Sequence, residues 1–134
     1  MIKGSCLCGQ IKFELDSKHL LASLCHCSIC RKSSGAAFGS YGEILIDDIH
    51  WITDKDQLIQ FNYSIMLSKY FCGQCGSTVA THHESWPEYW YISLGCLDGE
   101  PPISVEYHQF TGSQASWHEI NDQLPQFPQW PDEI

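Results

Sequence analysis

A mainly β domain of short antiparallel strands, with little helix and pinned by metal, is the fold class this sequence predicts, and three observations carry the prediction. Aromatic and β-branched runs recur between polar turns, the pattern of short half-buried strands. No long stretch places apolar residues at helical spacing. Of the eight cysteines, all but Cys96 fall into three clusters, 6/8, 25/27/30 and 72/75, at spacings that let thiols converge on one small object.

Each element follows in order. Cys6-Leu7-Cys8-Gly9 leads into residues 11–15, whose period-two alternation reads as a first strand with ligands at its start. Residues 20–24 form a second apolar strand running into Cys25. Cys25 and Cys27 alternate, so an extended chain puts both thiols on one face and sends His26 to the other. The step from Cys27 to Cys30 then needs a tight turn, which Ser28 can start. Small residues at 33–37 fit a loop or a short helical turn. Residues 38–46 resume as a strand with Gly39 and Gly42 as bulges, ended by Asp47-Asp48. Residues 49–52, 58–63 and 65–71 are further short strands, for which a meander is the simplest topology. Phe71-Cys72-Gly73-Gln74-Cys75-Gly76 has the pattern of a zinc knuckle, its glycines supplying the conformations a tight loop round a metal requires. Strands at 79–81, 89–97 and 103–110 complete the set, and the tail from Leu124 is proline-punctuated and irregular.

A chain of 134 residues has the size of one domain, spanning 1–134. Seven Lys and Arg stand against sixteen Asp and Glu, a formal charge of −9 that metal-bound thiolates would make more negative. Nucleic acid is excluded as a partner on that balance, because its binding rests on basic side chains neutralising phosphates. The adjacent basic pair Arg31-Lys32 sits beside the cysteine triplet and reads as an anchor for a small anion, or else as a solvated surface pair. The opening residues lack the apolar run of a signal peptide, and no stretch approaches the roughly 20 apolar residues of a membrane span. The expectation is a soluble cytoplasmic protein with no membrane partner, in a compartment where cysteines serve metal or redox chemistry before disulfides.

Two tetrahedra partition seven thiols as four plus three. Cys6, Cys8, Cys72 and Cys75 close one zinc site without help from the triplet, tying the first strand to the knuckle. Cys25, Cys27 and Cys30 form the second, and three thiolates leave its fourth position vacant, as catalytic zinc requires. Redox use of Cys72 and Cys75 is the rival, though no βαβ context surrounds them. An iron–sulfur cluster on four of the thiols is a further alternative, and His26 or a distant residue closing the triplet would make it a structural site. Cys96 reads as simply buried. His82, His83, His108 and His118 read as ordinary polar residues, and Trp86, Trp90, Trp117 and Trp130 as core or wall aromatics.

Three ordered motifs carry a resemblance: Gly4-Ser5-Cys6-Leu7-Cys8-Gly9, then Cys25-His26-Cys27-Ser28-Ile29-Cys30-Arg31-Lys32 with Gly35, then Phe71-Cys72-Gly73-Gln74-Cys75-Gly76. Together they resemble the glutathione-dependent formaldehyde-activating enzyme family, which includes the centromere protein V group. Trp117, Asp122 and Leu124-Pro125-Gln126-Phe127 are similar to the family's ending. The resemblance implies a β-tent-like antiparallel fold and the same partition, a structural zinc on Cys6, Cys8, Cys72 and Cys75 and a catalytic zinc on Cys25, Cys27 and Cys30. It also implies condensation of formaldehyde with glutathione to S-(hydroxymethyl)glutathione, a carbon–sulfur lyase reaction run in reverse.

The functional expectation is therefore a zinc-dependent carbon–sulfur lyase acting on a small thiol adduct. Cys30 belongs to its catalytic centre, and Arg31 and Lys32 pair with substrate carboxylates. The alternative from another class is a non-catalytic, zinc-stabilised β module that binds a protein partner.

Overall fold

A computed structural model of the chain describes residues 1–17 and 20–131. Three strands, β1 (Ile2–Ser5), β2 (Lys12–Leu15) and β5 (Ile49–Trp51), form a small sheet in the order β1-β2-β5. The larger sheet comprises β3 (Leu21–Cys25), β4 (Gly39–Leu45), β6 (Leu58–Asn62), β7 (Leu67–Cys72), β8 (Thr78–His83), β9 (Tyr89–Ser93), β10 (Val105–Gln109) and β11 (Gln126–Phe127). Its order is β11-β10-β3-β4-β9-β8-β7-β6. Among the described residues the one α-helix is α1 (Ser28–Ser34), between β3 and β4.

Strand alternation gives the large sheet two unlike faces. On one face Ile44, Ala80 and Ile92 pack against Ile2, Phe13, Leu15 and Ile49 of the small sheet, forming the main core. Phe13 is fully buried, so truncating it to alanine would cost about 3–5 kcal/mol. On the other face, cross-strand partners Lys69–Thr81, Thr81–Tyr91, Tyr91–Glu43 and Glu43–Leu21 make one row of side chains across five strands. That row becomes the wall of the pocket described below.

The structure differs from the sequence reading in several places. Strand β1 precedes the expected first strand; it pairs with β2 from Ile2–Leu15 to Ser5–Lys12, and its four residues are too few to show a period. A meander holds only for β6 to β9. Strand β10 instead returns to lie parallel to β3, and β11 lies parallel to β10, so a short strand emerges from the tail read as irregular. Gly39 and Gly42 are not bulges, since β4 pairs in continuous register with both neighbours. They serve close packing: a Cβ on Gly39 would lie 2.4 Å from the Tyr41 hydroxyl, and one on Gly42 would crowd Leu20 and Leu94. The irregularities fall in β7, between Tyr70 and Phe71, and in β10, between Val105 and Tyr107. The strand expected over 89–97 ends at Ser93, and Cys96 closes a 3-10 turn.

Candidate metal centres and the adjoining pocket

Two turns of matching construction assemble the first cluster. In one, Cys6 N–H donates to the Ile11 carbonyl and Gly9 N–H to the Cys6 carbonyl; in the other, Cys72 N–H donates to Ser77 and Gly76 N–H to Cys72. Gly9 and Gly76 adopt φ of 80° and 78°, the left-handed region that closes each turn and that other residues rarely enter. The four sulfurs of Cys6, Cys8, Cys72 and Cys75 lie within 4.8 Å of one another, with Cys6–Cys8 at 3.6 Å and Cys8–Cys72 at 3.8 Å. Edges of roughly 3.8 Å are those of a tetrahedron with metal–sulfur bonds of about 2.3 Å. Backbone N–H groups of Ile11 and Gln74 point at the Cys6 and Cys72 sulfurs, and contacts from the Ser77 hydroxyl and N–H hold the Cys75 thiol down at about 5. Burial and crowding by Cys6, Cys75 and Cys72 push the Cys8 thiol the other way, up to about 12, and a cation among the four sulfurs would let them ionise together, so the set fits a metal ion.

The second cluster, Cys25, Cys27 and Cys30, is built by the junction of β3 and α1. Cys25 ends the strand, and Cys27, still extended at φ −67° and ψ 157°, is the N-cap of α1, its sulfur accepting the Cys30 N–H at 3.3 Å, so both thiols face one way and His26 the other. The helix follows from Ser28 at its start, Arg31 and Lys32 toward its end and Gly35 in the left-handed cap position. Crowding splits the thiols' acidity. Hydrogen bonds from Cys25 and Cys30 bring Cys27 down to about 2, while its contacts with Cys27 and Cys30 and its burial push Cys25 up. A divalent cation is the means by which all three ionise together. Among the described residues no fourth His, Cys, Asp or Glu joins them.

These three sulfurs sit in a pocket of about 300 Å³, whereas none of the first four lines it. Deep in the pocket lies Lys69, a buried amine that the sequence reading passed over as one member of a strand. Its Nζ donates to Tyr41 Oη at 3.0 Å and Thr81 Oγ1 at 3.1 Å, and stands 3.7 Å from Cys30 Sγ. A single lysine amid strand residues is a weak signal; only the pairing of β7 with β8 shows that it faces the cysteines. The mouth is aromatic. Trp130 meets Phe110, Trp86 and His83 with ring centroids 4.8, 5.1 and 5.9 Å away. The segment carrying Trp130 is held by its main chain: His108, Phe110 and Gly112 N–H donate to the carbonyls of Pro125, Gln129 and Pro128, and the Thr111 hydroxyl to that of Phe127.

Arg31 and Lys32 do not line this pocket, although Ile29 and Cys30 of the same helix do. Arg31 Nε is buried without a hydrogen-bond partner, and Lys32 is exposed one turn on from Ile29. His26 turns away from the sulfurs. Its Nε2 lies 2.8 Å from His108 Nδ1, and His108 Nε2 lies 2.9 Å from the Asp122 carboxylate, a chain of polar groups leading from the triplet's backbone to the surface. Both histidines are buried, which is why His108 could not be told from an ordinary polar residue by sequence. Cys96, also buried, donates to the Thr78 carbonyl, and burial pushes its thiol up to about 11.

A two-sheet β domain with one four-thiol and one three-thiol cluster, each able to hold a metal ion, the second opening on a pocket, is what fold and site define. The chain belongs to the glutathione-dependent formaldehyde-activating enzyme family, whose model matches residues 1–113. A Halomonas elongata protein provisionally named as such an enzyme is 28% identical, the match covering 99% of this chain and 90% of that protein. A Podospora anserina protein of the same provisional name is 30% identical over 54% of this chain and 35% of its own length. The crystal structure of a Rhodobacter sphaeroides protein shares the fold with a TM-score of 0.62 at 24% identity, covering 75% of this chain and 91% of that one. No helix among the described residues is long and apolar enough to cross a membrane.

Proposed function

We propose that this protein is a zinc-dependent carbon–sulfur lyase that joins formaldehyde to a small thiol, or cleaves the adduct, at the Cys25, Cys27 and Cys30 cluster. The observation that carries the reading is placement: the three-thiol cluster opens into the pocket and the four-thiol cluster does not. The family's name supports formaldehyde and glutathione as reactants, the adduct being S-(hydroxymethyl)glutathione. Zinc at the three sulfurs would supply a Lewis acid and make a thiol substrate more acidic, so that the nucleophile exists near pH 7. Cys6, Cys8, Cys72 and Cys75 would hold a second, structural zinc.

The reaction forms one sulfur–carbon bond, moves the carbonyl π pair to oxygen and needs one proton there. Lys69 is the group that meets this need: an ammonium beside Cys30 Sγ, with Tyr41 Oη at 3.0 Å, stabilises a developing alkoxide and donates a proton to it. Tyr41 and Thr81 fix the amine in place, so little reorganisation is needed as charge appears. For a substrate as long as glutathione, Arg31 and Lys32 on α1 are the basic groups its carboxylates would meet beyond the pocket lining. The test is to incubate zinc-loaded protein with formaldehyde and a panel of thiols and follow adduct formation by NMR. Rates above the spontaneous reaction are expected; no acceleration with any thiol in the panel sinks the enzymatic reading.

A further inference from the structure

The walls of the pocket point to a narrower substrate class than the family's name does. Resting on the reading of the triplet as a thiol-binding metal site, we propose that the pocket selects a small thiol with an uncharged, apolar tail over one that bears carboxylates. Glutathione carries two carboxylates. Against them the lining offers one lysine, Lys69, one carboxylate of its own, Glu43, and no arginine.

The lysine is committed to the reacting end of the pocket. An ammonium has three donors, and those of Lys69 are directed at Tyr41 Oη, Thr81 Oγ1 and Cys30 Sγ, beside the thiols and away from where a substrate's far end would lie. Glu43 faces the lining from β4, its carboxyl pushed above the usual range by burial and by Glu88, and it offers a carboxylate brought beside it no positive charge. His83 gives no positive charge either, because burial and the neighbouring His82 hold its imidazole below the ordinary range, and its Nδ1 accepts the Ser85 N–H. A carboxylate held inside the pocket would lose water and find no cation free to pair with it there.

An apolar tail meets the reverse. Tyr63, Trp86, Tyr91, Tyr107, Phe110 and Trp130 supply six aromatic side chains to the lining, with Leu21, Ile29, Met66 and Leu67 between them. The rings at the mouth are packed on one another before any ligand arrives, so little ordering is required on binding. A volume of about 300 Å³ is at the small end of ligand pockets, suited to a thiol carrying a single ring. Trp130 lies beyond residue 113, where the family match stops, so part of this wall is contributed by a segment outside the matched region.

The test uses cobalt in place of zinc, whose thiolate absorption bands report a thiol joining the metal, with tryptophan fluorescence as a second readout. The full-length protein is titrated with benzyl mercaptan, its 4-carboxylate analogue and glutathione, each affinity corrected for the free thiolate fraction. Benzyl mercaptan should bind at least about 10-fold more tightly than either carboxylate-bearing thiol. Trp130→Ala, at a half-exposed position, should narrow that gap while leaving cobalt binding and glutathione affinity unchanged. Met66→Arg, which adds a cation to the wall, should narrow it from the other side by tightening glutathione. Equal or tighter binding of glutathione by the unaltered protein overturns the proposal and leaves the metal–thiol reading standing. If none of the three thiols changes the cobalt bands, the metal–thiol reading falls and the selectivity proposal falls with it.

Discussion

The two cysteine clusters use the same ligand chemistry and similar spacings, yet the chain builds them in opposite ways. Four thiols come from two turns more than sixty residues apart, on different sheets, and Cys6 and Cys72 are part of the main core. The other three come from one six-residue segment and border a pocket with a lysine in it. A metal in the first closes a long loop and fastens one sheet to the other; a metal in the second fastens nothing distant. Position in the topology, not ligand type, is what distinguishes the proposed staple from the proposed reactive centre.

The largest effect that could break this comparison is on folding. Cys72→Ser removes a ligand from the proposed structural zinc, whose binding free energy of about 10 kcal/mol is folding free energy, so the variant should be largely unfolded by circular dichroism. Cys30→Ser should remain folded with a near-native melting temperature, one zinc per chain and no activity; unfolding as severe as that of Cys72→Ser would make both clusters staples. Metal removal sharpens the same contrast, because a chelator should strip the triplet first, and metal analysis along the titration should pass through a one-zinc plateau with the fold intact. Iron in place of zinc, or one ion in fully loaded protein, would refute the two-site scheme. Next comes Lys69→Met, which keeps the buried stem and removes the ammonium. Activity should fall about 100-fold with zinc content unchanged, the size expected for loss of one preorganised donor.

The smallest effect is expected at Asp122, whose carboxyl the His108 hydrogen bond holds below the usual carboxylate range. A depressed folded value means stability that is present above the unfolded carboxylate range and lost as pH falls through the folded value. Asp122→Asn should therefore lower the melting temperature slightly and equally at pH 7 and pH 5, and the difference should shrink as pH falls below about 4. A difference that stayed constant on acidification below about pH 4 would show that the His108 contact does not hold the carboxylate down.

Legibility followed the range of the interactions. The cysteine partition was readable because C-x-C and C-x-x-C spacings are local, and the strands at β2, β4 and β7 because alternation is local too. Helix α1 was not, since its seven residues carry no full apolar period and its cap is a cysteine, Cys27, where a serine or aspartate would have signalled it. Lys69 and the His26–His108–Asp122 chain depend on strand pairings between segments far apart in sequence, which no window reveals. The parallel return of β10 beside β3 is of the same kind. The basic pair Arg31-Lys32 stands out by adjacency to the triplet, yet adjacency in sequence does not set which residues of α1 reach the pocket, whose lining includes Ile29 and Cys30.

The tail's attachment has an evolutionary consequence. Its carbonyls hold residues 125–129 against β10 and the turn after it through bonds that ask nothing of most side chains there. Such a segment behaves as a replaceable cassette: substitutions can accumulate at its exposed positions, Trp130 among them, without moving a single metal ligand. Under the proposed function, such a segment lets one reaction centre be kept while the molecules it accepts change, with drift in a short stretch of chain standing in for the reinvention of a fold.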